Sequence, residues 1–235
     1  MNKRSAVSVV IPAAGIGKRM GADVPKQYLQ LHGKTVLEHS IACFADHASV
    51  ERVIVSVASH DQHFPSIRKN LPAKCSHVIG GKERCHSVLA GLEALAGDVE
   101  DDCWIMVHDA ARPCLRSADI DSMIATLNGD SIGGILAVPA RDTLKRCDDK
   151  LNITETVDRT HIWQAMTPQM FRLGKLRDAI KSALEDGVIV TDEAQAIERL
   201  GFQTRVVQGH ADNIKITHPE DLALASAILE SHQQT

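Results

Sequence analysis

The chain has 235 residues, the length of one large α/β domain or two small ones, and its 44% hydrophobic content is ample for a core. A net charge of -4 excludes the basic surface of a nucleic-acid scaffold and leaves room for a local basic site that holds a small anion. Six cysteines without a C-x-x-C pair read as reduced thiols, and twelve histidines without H-x-x-x-H or H-E-x-x-H spacing offer no zinc site. Lys3 and Arg4 before an apolar stretch resemble a secretory leader, but that stretch is short and holds Pro12, and no run is long enough to span a bilayer. The expectation is a cytoplasmic protein without nucleic-acid or membrane partners.

Val7 to Ile11 is a β-branched run closed by Pro12, which suits a buried parallel strand. The loop behind it carries small Ala13, Ala14, Gly15 and Gly17, then the cations Lys18, Arg19 and Lys26 against one acid, Asp23. Small residues let backbone N–H groups approach phosphate oxygens, and cations neutralise them, so this loop is a candidate polyphosphate cradle. It is not a Walker loop, because Arg19 follows Gly17-Lys18 and Pro12 stands where the first glycine belongs. It is not a dinucleotide fingerprint either, because Met20 takes the third glycine position. An ordinary βα loop with solvated cations is the alternative.

Thr35 to His47 predicts a helix, with Thr35 and Glu38 as a capping box and Leu37, Ile41 and Phe44 as its apolar stripe. A strand over 52–57, a helix over 61–70 and a short strand over 77–79 follow, the last closed by Gly80-Gly81. Then come a helix over 83–95, a strand over 103–107, a helix over 118–127 and a strand over 133–139. Strands alternating with helices predict an α/β fold, a doubly wound and mostly parallel sheet. Ligands bind beyond the carboxyl ends of such strands, where the loops after Ile11, Ile79 and Val107 lie.

From Ala140 to Pro168 the pattern turns to alternating polar and apolar residues around a turn at Cys147 to Lys150, which predicts a protruding antiparallel β-arm. An arm with so little core needs another surface, and a second copy of the chain is the economical one. Folding back on its own domain is the alternative. Helices over 173–185, 192–200 and 219–230 and strands over 203–207 and 213–216 complete the chain. With no linker or repeat, 1–235 reads as a single domain into which the arm, 140–168, is inserted.

Gly80 and Gly81 allow a turn with positive φ, and the following helix start, with Ser87 on its first turn, can meet a base or a phosphate. Asp109, at a strand's carboxyl end near the cationic loop, is a natural Mg²⁺ ligand, with capping of the next turn as the alternative. Thr191 is placed to cap a helix and bind an anion there. Lys215 stands in an otherwise apolar strand and needs a partner, which a phosphate would supply.

Pro12-Ala-Ala-Gly-x-Gly-x-Arg19-Met with Pro25-Lys-Gln-Tyr-Leu29, then Gly80-Gly-x-x-Arg-x-x-Ser87-Val, Asp109-Ala-Ala-Arg-Pro113 and Val157-Asp-Arg159 resemble the signatures of nucleotidyltransferases that make sugar or polyol nucleotides. Among these the chain is most similar, from Ile11 through Leu224, to the 2-C-methyl-D-erythritol 4-phosphate cytidylyltransferases of the non-mevalonate isoprenoid pathway. The resemblance implies a Rossmann-like nucleotidyltransferase that joins CTP to that polyol phosphate with Mg²⁺ and releases pyrophosphate. It implies a homodimer in which the arm of one subunit reaches its partner's site. By position it makes Arg19, Lys26, Arg159 and Lys215 catalytic. Ala13, Ala14, Gly15, Gly81, Ser87 and Asp109 would hold the nucleotide, and Asp109 the metal. Arg112, Thr143, Thr167 and Thr191 would contact the acceptor. Some relatives carry an acid where this chain has Lys82, so no base contact is carried over to that side chain. The alternatives are another acceptor, such as ribitol 5-phosphate, or a non-catalytic nucleotide-binding regulatory domain. A nicotinamide-dependent dehydrogenase is disfavoured by the failed fingerprint.

Overall fold

The computed structural model describes residues 6–15 and 24–233. Among these, the central sheet has seven strands: β1 (Val7–Pro12), β4 (Val50–Val57), β5 (Cys75–Ile79), β6 (Trp104–Val107), β7 (Gly133–Pro139), β10 (Trp163–Arg172) and β11 (Arg205–Gln208). They run in the order β11-β7-β10-β6-β1-β4-β5. β1 is central, parallel to both β4 and β6, and β5 extends the parallel half. Small pairs form at β2 (Gln30–Leu31) with β3 (Lys34–Thr35) and at β8 (Leu144–Cys147) with β9 (Ile153–Val157).

Successive side chains of a strand point to opposite faces, and the chain uses both. Val7, Val9 and Ile11 join one buried layer with Leu37, Ile41 and Phe44 of α1 (Val36–Ala45) and Ile120 and Met123 of α4 (Ser117–Leu127). Val10, Ile105 and Val107 join the other, with Val88 and Leu92 of α3 (Arg84–Ala96) and Leu176 and Ile180 of α5 (Leu173–Glu185). The result is a helix–sheet–helix sandwich, as the alternation predicted. α3 lies close on β1 because Gly91 has no side chain: a Cβ there would sit 2.5 Å from Cγ1 of Val10. The Thr35–Glu38 capping box is present as expected, with Glu38 N–H donating to the Thr35 hydroxyl at 3.2 Å and Thr35 N–H to the Glu38 carboxylate at 2.7 Å. α2 (Phe64–Arg68) is shorter than the predicted 61–70.

Two expectations are corrected. The arm is narrower than 140–168, because Trp163–Arg172 is a strand of the central sheet, antiparallel to both β6 and β7. Pro168 masks it in the sequence, since proline cannot donate to a ladder. In the structure that residue falls where the β7 register shifts, between Ala165 and Gln169, so no ladder bond is lost. Residues 213–216 form no strand; the segment is held irregularly, with Ile216 N–H donating to the Ala111 carbonyl at 2.9 Å. α6 (Glu193–Arg199) and α7 (Pro219–Gln233) complete the fold, and no helix among the described residues is long and apolar enough to cross a membrane.

Candidate active site

The loops after β1, β5 and β6 converge at the carboxyl ends of their strands on a cleft of about 480 Å³. Ala13, Ala14, Gly15, Gly81 and Ser87 line it together with Lys26, Asp109 and Lys215. These are eight of the residues expected there, brought from five separate stretches of chain. Arg19 lies outside the described residues.

The turn Lys26–Tyr28 ties two segments of the cleft together and anchors them to Asp61 outside it. Lys26 Nζ donates to the Ile216 carbonyl at 2.8 Å, which fixes the segment bearing Lys215. Gln27 Nε2 donates to the carbonyls of Ala13 and Gly15 at 2.9 and 2.8 Å, which shapes the loop after β1. The Tyr28 hydroxyl donates to Asp61 Oδ2 at 2.6 Å, and its ring stacks on His63.

Gly80 and Gly81 are needed here for close approach rather than for positive φ, which neither adopts. A Cβ on Gly80 would meet Ser87 Oγ at 2.7 Å, and one on Gly81 would meet His86 Cβ at 2.4 Å. The Ser87 hydroxyl in turn accepts the Gly81 N–H at 3.1 Å, which folds the loop onto the start of α3.

Asp109 is buried at the cleft floor. Its Oδ1 accepts from Arg84 Nε at 3.0 Å, and its Oδ2 lies 2.8 Å from Lys215 Nζ and 3.6 Å from Arg112 Nε. Burial opposes its charge, but Arg84, then Lys215, then Arg112 outweigh burial and hold the carboxyl well below the usual range. It does not cap the following turn with its side chain; its backbone carbonyl takes the Arg112 N–H at 3.1 Å. The partner expected for Lys215 is thus supplied within the protein, by Asp109.

Two acceptor candidates, Thr167 and Arg112, have their polar groups turned inward. The buried Thr167 hydroxyl accepts the Asp109 N–H at 3.0 Å and lies 3.1 Å from His108 Nδ1. His108 Nε2 can only donate to the Arg112 carbonyl, 2.9 Å away, so Nδ1 of the neutral ring accepts the threonine proton. Burial pushes the His108 imidazole down to about 4, which keeps that ring neutral. Arg112 Nη1 donates to the Asn213 carbonyl at 2.7 Å. Thr191 is exposed, with its hydroxyl 3.3 Å from Gln195 Oε1, and it is not the helix cap: Asp192 is, accepting the Gln195 N–H at 2.9 Å.

A second cleft of about 340 Å³, lined by Arg112, Arg141, Asp142, Gln164, Asn213 and Lys215, adjoins the first through Lys215. Thr143 and Arg159 are exposed and line neither cleft of the single chain. Sequence reading missed Gln27, Arg84, Glu193 and Asn213. Gln27 and Arg84 sit inside quoted motifs and Glu193 follows Thr191 by two residues, but nothing local reveals that their partners lie 12, 25 and 109 positions away.

Comparison with known proteins agrees with this architecture. The family model described as "IspD: 2-C-methyl-D-erythritol 4-phosphate cytidylyltransferase" matches residues 7–231. A 2-C-methyl-D-erythritol 4-phosphate cytidylyltransferase of Ectopseudomonas mendocina (strain ymp) is 51% identical over 229 residues, 96% of this chain and 97% of that protein. A crystal structure of 4-diphosphocytidyl-2C-methyl-D-erythritol synthase superposes with a TM-score of 0.84 at 36% identity, covering 96% of this chain and 99% of that one. The Francisella tularensis enzyme superposes with a TM-score of 0.81 at 35% identity, covering 95% and 100%. A cleft of this construction and a likeness that spans both chains nearly end to end lead to one assignment: the chain belongs to the 2-C-methyl-D-erythritol 4-phosphate cytidylyltransferase family of nucleotidyltransferases.

Proposed function

We propose that this chain transfers the cytidylyl group of CTP to 2-C-methyl-D-erythritol 4-phosphate in isoprenoid precursor synthesis, giving 4-(cytidine 5'-diphospho)-2-C-methyl-D-erythritol and pyrophosphate. The observation that carries the reading is Lys215, fixed by Asp109 at the junction of two clefts, one walled by the β1 and β5 loops and one by the base of the arm. The first suits the nucleotide and the second the acceptor. An oxygen of the acceptor phosphate attacks the α-phosphorus in line; the new P–O bond forms as the bond to the β-phosphate breaks, and pyrophosphate leaves with that electron pair. The nucleophile is already an anion, so no strong general base is required. The barrier is repulsion between phosphates, so positioning and cations do the catalysis.

The backbone of Ala13 to Gly15 and the Gly81–Ser87 turn hold the nucleoside. Lys26 and Arg19 stabilise charge developing on the α-phosphate and the leaving group. Lys215 orients the incoming phosphate. Arg112 and Thr167, whose polar groups point inward, act mainly by shaping the acceptor wall, and exposed Thr191 keeps only the role of a lesser contact.

Nucleotidyltransferases generally use a divalent metal, and Asp109 suits Mg²⁺: one carboxylate suffices when phosphates and water supply the remaining oxygens. Its Oδ2 edge, shared with Lys215 and only loosely with Arg112, is where such an ion would compete. Bound there, Mg²⁺ would neutralise phosphate oxygens.

The arm favours a homodimer. It exposes Leu151, Ile153 and Ile162, next to the exposed Trp163 at the end of β10, and an isolated two-stranded hairpin is marginal in water. Arg159 and Thr143 from a second copy would complete the acceptor side of a cytoplasmic, two-site enzyme.

Pyrophosphate release from CTP with 2-C-methyl-D-erythritol 4-phosphate tests the reading, with ribitol 5-phosphate in parallel. Turnover with the first acceptor is expected. Turnover only with ribitol 5-phosphate would move the assignment to that acceptor, and CTP binding without any turnover would mark a regulatory domain.

A further inference from the structure

The Thr191-Asp192-Glu193-Ala194 motif is not accounted for by the reaction described so far, and its buried member is not Thr191 but Glu193, which is 1% exposed. A buried carboxylate persists only when it is paired. Glu193 takes the fork of Arg84: Nη1 donates to Oε1 at 2.6 Å and Nη2 to Oε2 at 3.1 Å. α6 is pinned to deliver it, since Gln169 of β10, also buried, accepts the Ala194 N–H at 2.9 Å and donates to Asp192 at 3.1 Å. With its fork occupied, Arg84 has only Nε facing Asp109. Arg84 nevertheless lines the nucleotide cleft, so a freed fork has two attractive targets, the Asp109 carboxylate and a phosphate.

We propose that Glu193 is a positioning residue: by engaging the Arg84 fork it limits Arg84 to a single contact with Asp109, leaves Asp109 Oδ2 to Lys215, and keeps the guanidinium off the triphosphate. The proposal deepens the cytidylyl-transfer reading and rests on it for its kinetic consequence. Three cations, Arg84, Arg112 and Lys215, face Asp109 here, and Glu193 is the second acid of the cluster. Without its charge, Arg84 should turn its fork on Asp109 and draw that carboxylate from Lys215. The nucleoside side of the cleft is largely backbone, so CTP recognition should survive.

The test is Glu193→Gln in the full chain, followed by kcat, KM for CTP, thermal midpoint and crystal structure. A loss of about 10- to 100-fold in kcat is expected, the scale seen when a partner behind a direct ligand is removed. KM for CTP should stay within about threefold, because a group acting on the transition state alone leaves ground-state binding intact. The crystal should show the Arg84 fork released from residue 193. In an Arg84→Gln background the same change should cost less than about twofold further, since Glu193 acts through Arg84. An undiminished cost there, or an E193Q crystal with the Arg84 fork still on residue 193 and Nε still on Asp109, would overturn the proposal. So would unchanged kcat in a variant that only melts earlier, because that is a structural role. If Glu193→Gln does not fold, Glu193→Asp retracts the carboxylate by one methylene and carries the same readouts with smaller shifts. Should the unaltered chain release no pyrophosphate, the transfer reading fails, while the Arg84 geometry in the variant crystal still decides this proposal.

Discussion

In the cleft, Asp109, Glu193, Arg84, Arg112 and Lys215 hold one another across four segments of chain, and Thr167, His108 and Asn213 fix the backbone beneath them. In the arm, the ion pair of Arg146 with Glu155 is exposed, Lys145 meets Thr156 in solvent, and Leu151 is 84% exposed. The first region is preorganised within a single chain, with its charges in place before any ligand arrives. The second has only local bonds and apolar surface without cover. Electrostatic catalysis gains most where dipoles and charges need no rearrangement, whereas an uncovered hairpin is suited to meeting another surface.

The largest effect expected from disturbing the cleft comes from Lys26→Ala. It removes a cleft-lining cation and the tie to the Ile216 carbonyl. We expect kcat to fall by about 10²- to 10³-fold, more than CTP binding weakens. Steady-state kinetics with separately measured CTP affinity check this; normal kcat with raised KM would remove Lys26 from the transition state.

Acid should reach the same region next. The unfolded chain protonates His108 near pH 6.5, and the folded chain only near 4, because burial disfavours the cation. Between those values the unfolded state binds more protons, so stability is retained above 6.5 and falls by about 3 kcal/mol on descending to 4. Urea midpoints across that range, with His108→Asn flattening the slope, measure it.

The arm should answer to mixing instead. Inactive Lys26→Ala chains combined with inactive Arg159→Ala chains should recover about a quarter of normal activity, because half of the dimers are mixed and each rebuilds one of two sites. No recovery despite demonstrated subunit exchange would assign Arg159 to its own chain or to no site. The smallest effect is expected for Tyr28→Phe. It deletes one hydrogen bond to Asp61, which keeps the N–H groups of His63 and Phe64, so stability should drop by about 1 kcal/mol in denaturant titration.

Periodicity and capping chemistry act over a few residues, so they are written in the sequence. The capping box at Thr35, the buried run at Val7 to Ile11 and the alternation that sets three loops at one edge of a sheet are all of this kind. Motif resemblance added which cations and which acid belong together, and the cleft gathers Lys26, Asp109 and Lys215. What was hidden depends on contacts between distant segments. The glycines at 80 and 81 answer to Ser87 and His86 rather than to a turn type, and Lys215 answers to Asp109 rather than to a strand.

The sequence by itself determined the layer order, the composition of the loop after β1 and the change of pattern at the arm, because each rests on local spacing or on neighbouring residue types. Only the tertiary structure decided that Trp163–Arg172 is a central strand, that Thr167 spends its hydroxyl on His108 and Asp109, and that Glu193 rather than Thr191 is the buried member of its motif. The physical reason is that the partner of a buried polar group is chosen by what the packed core leaves within about 3 Å, and a one-dimensional string does not carry that distance.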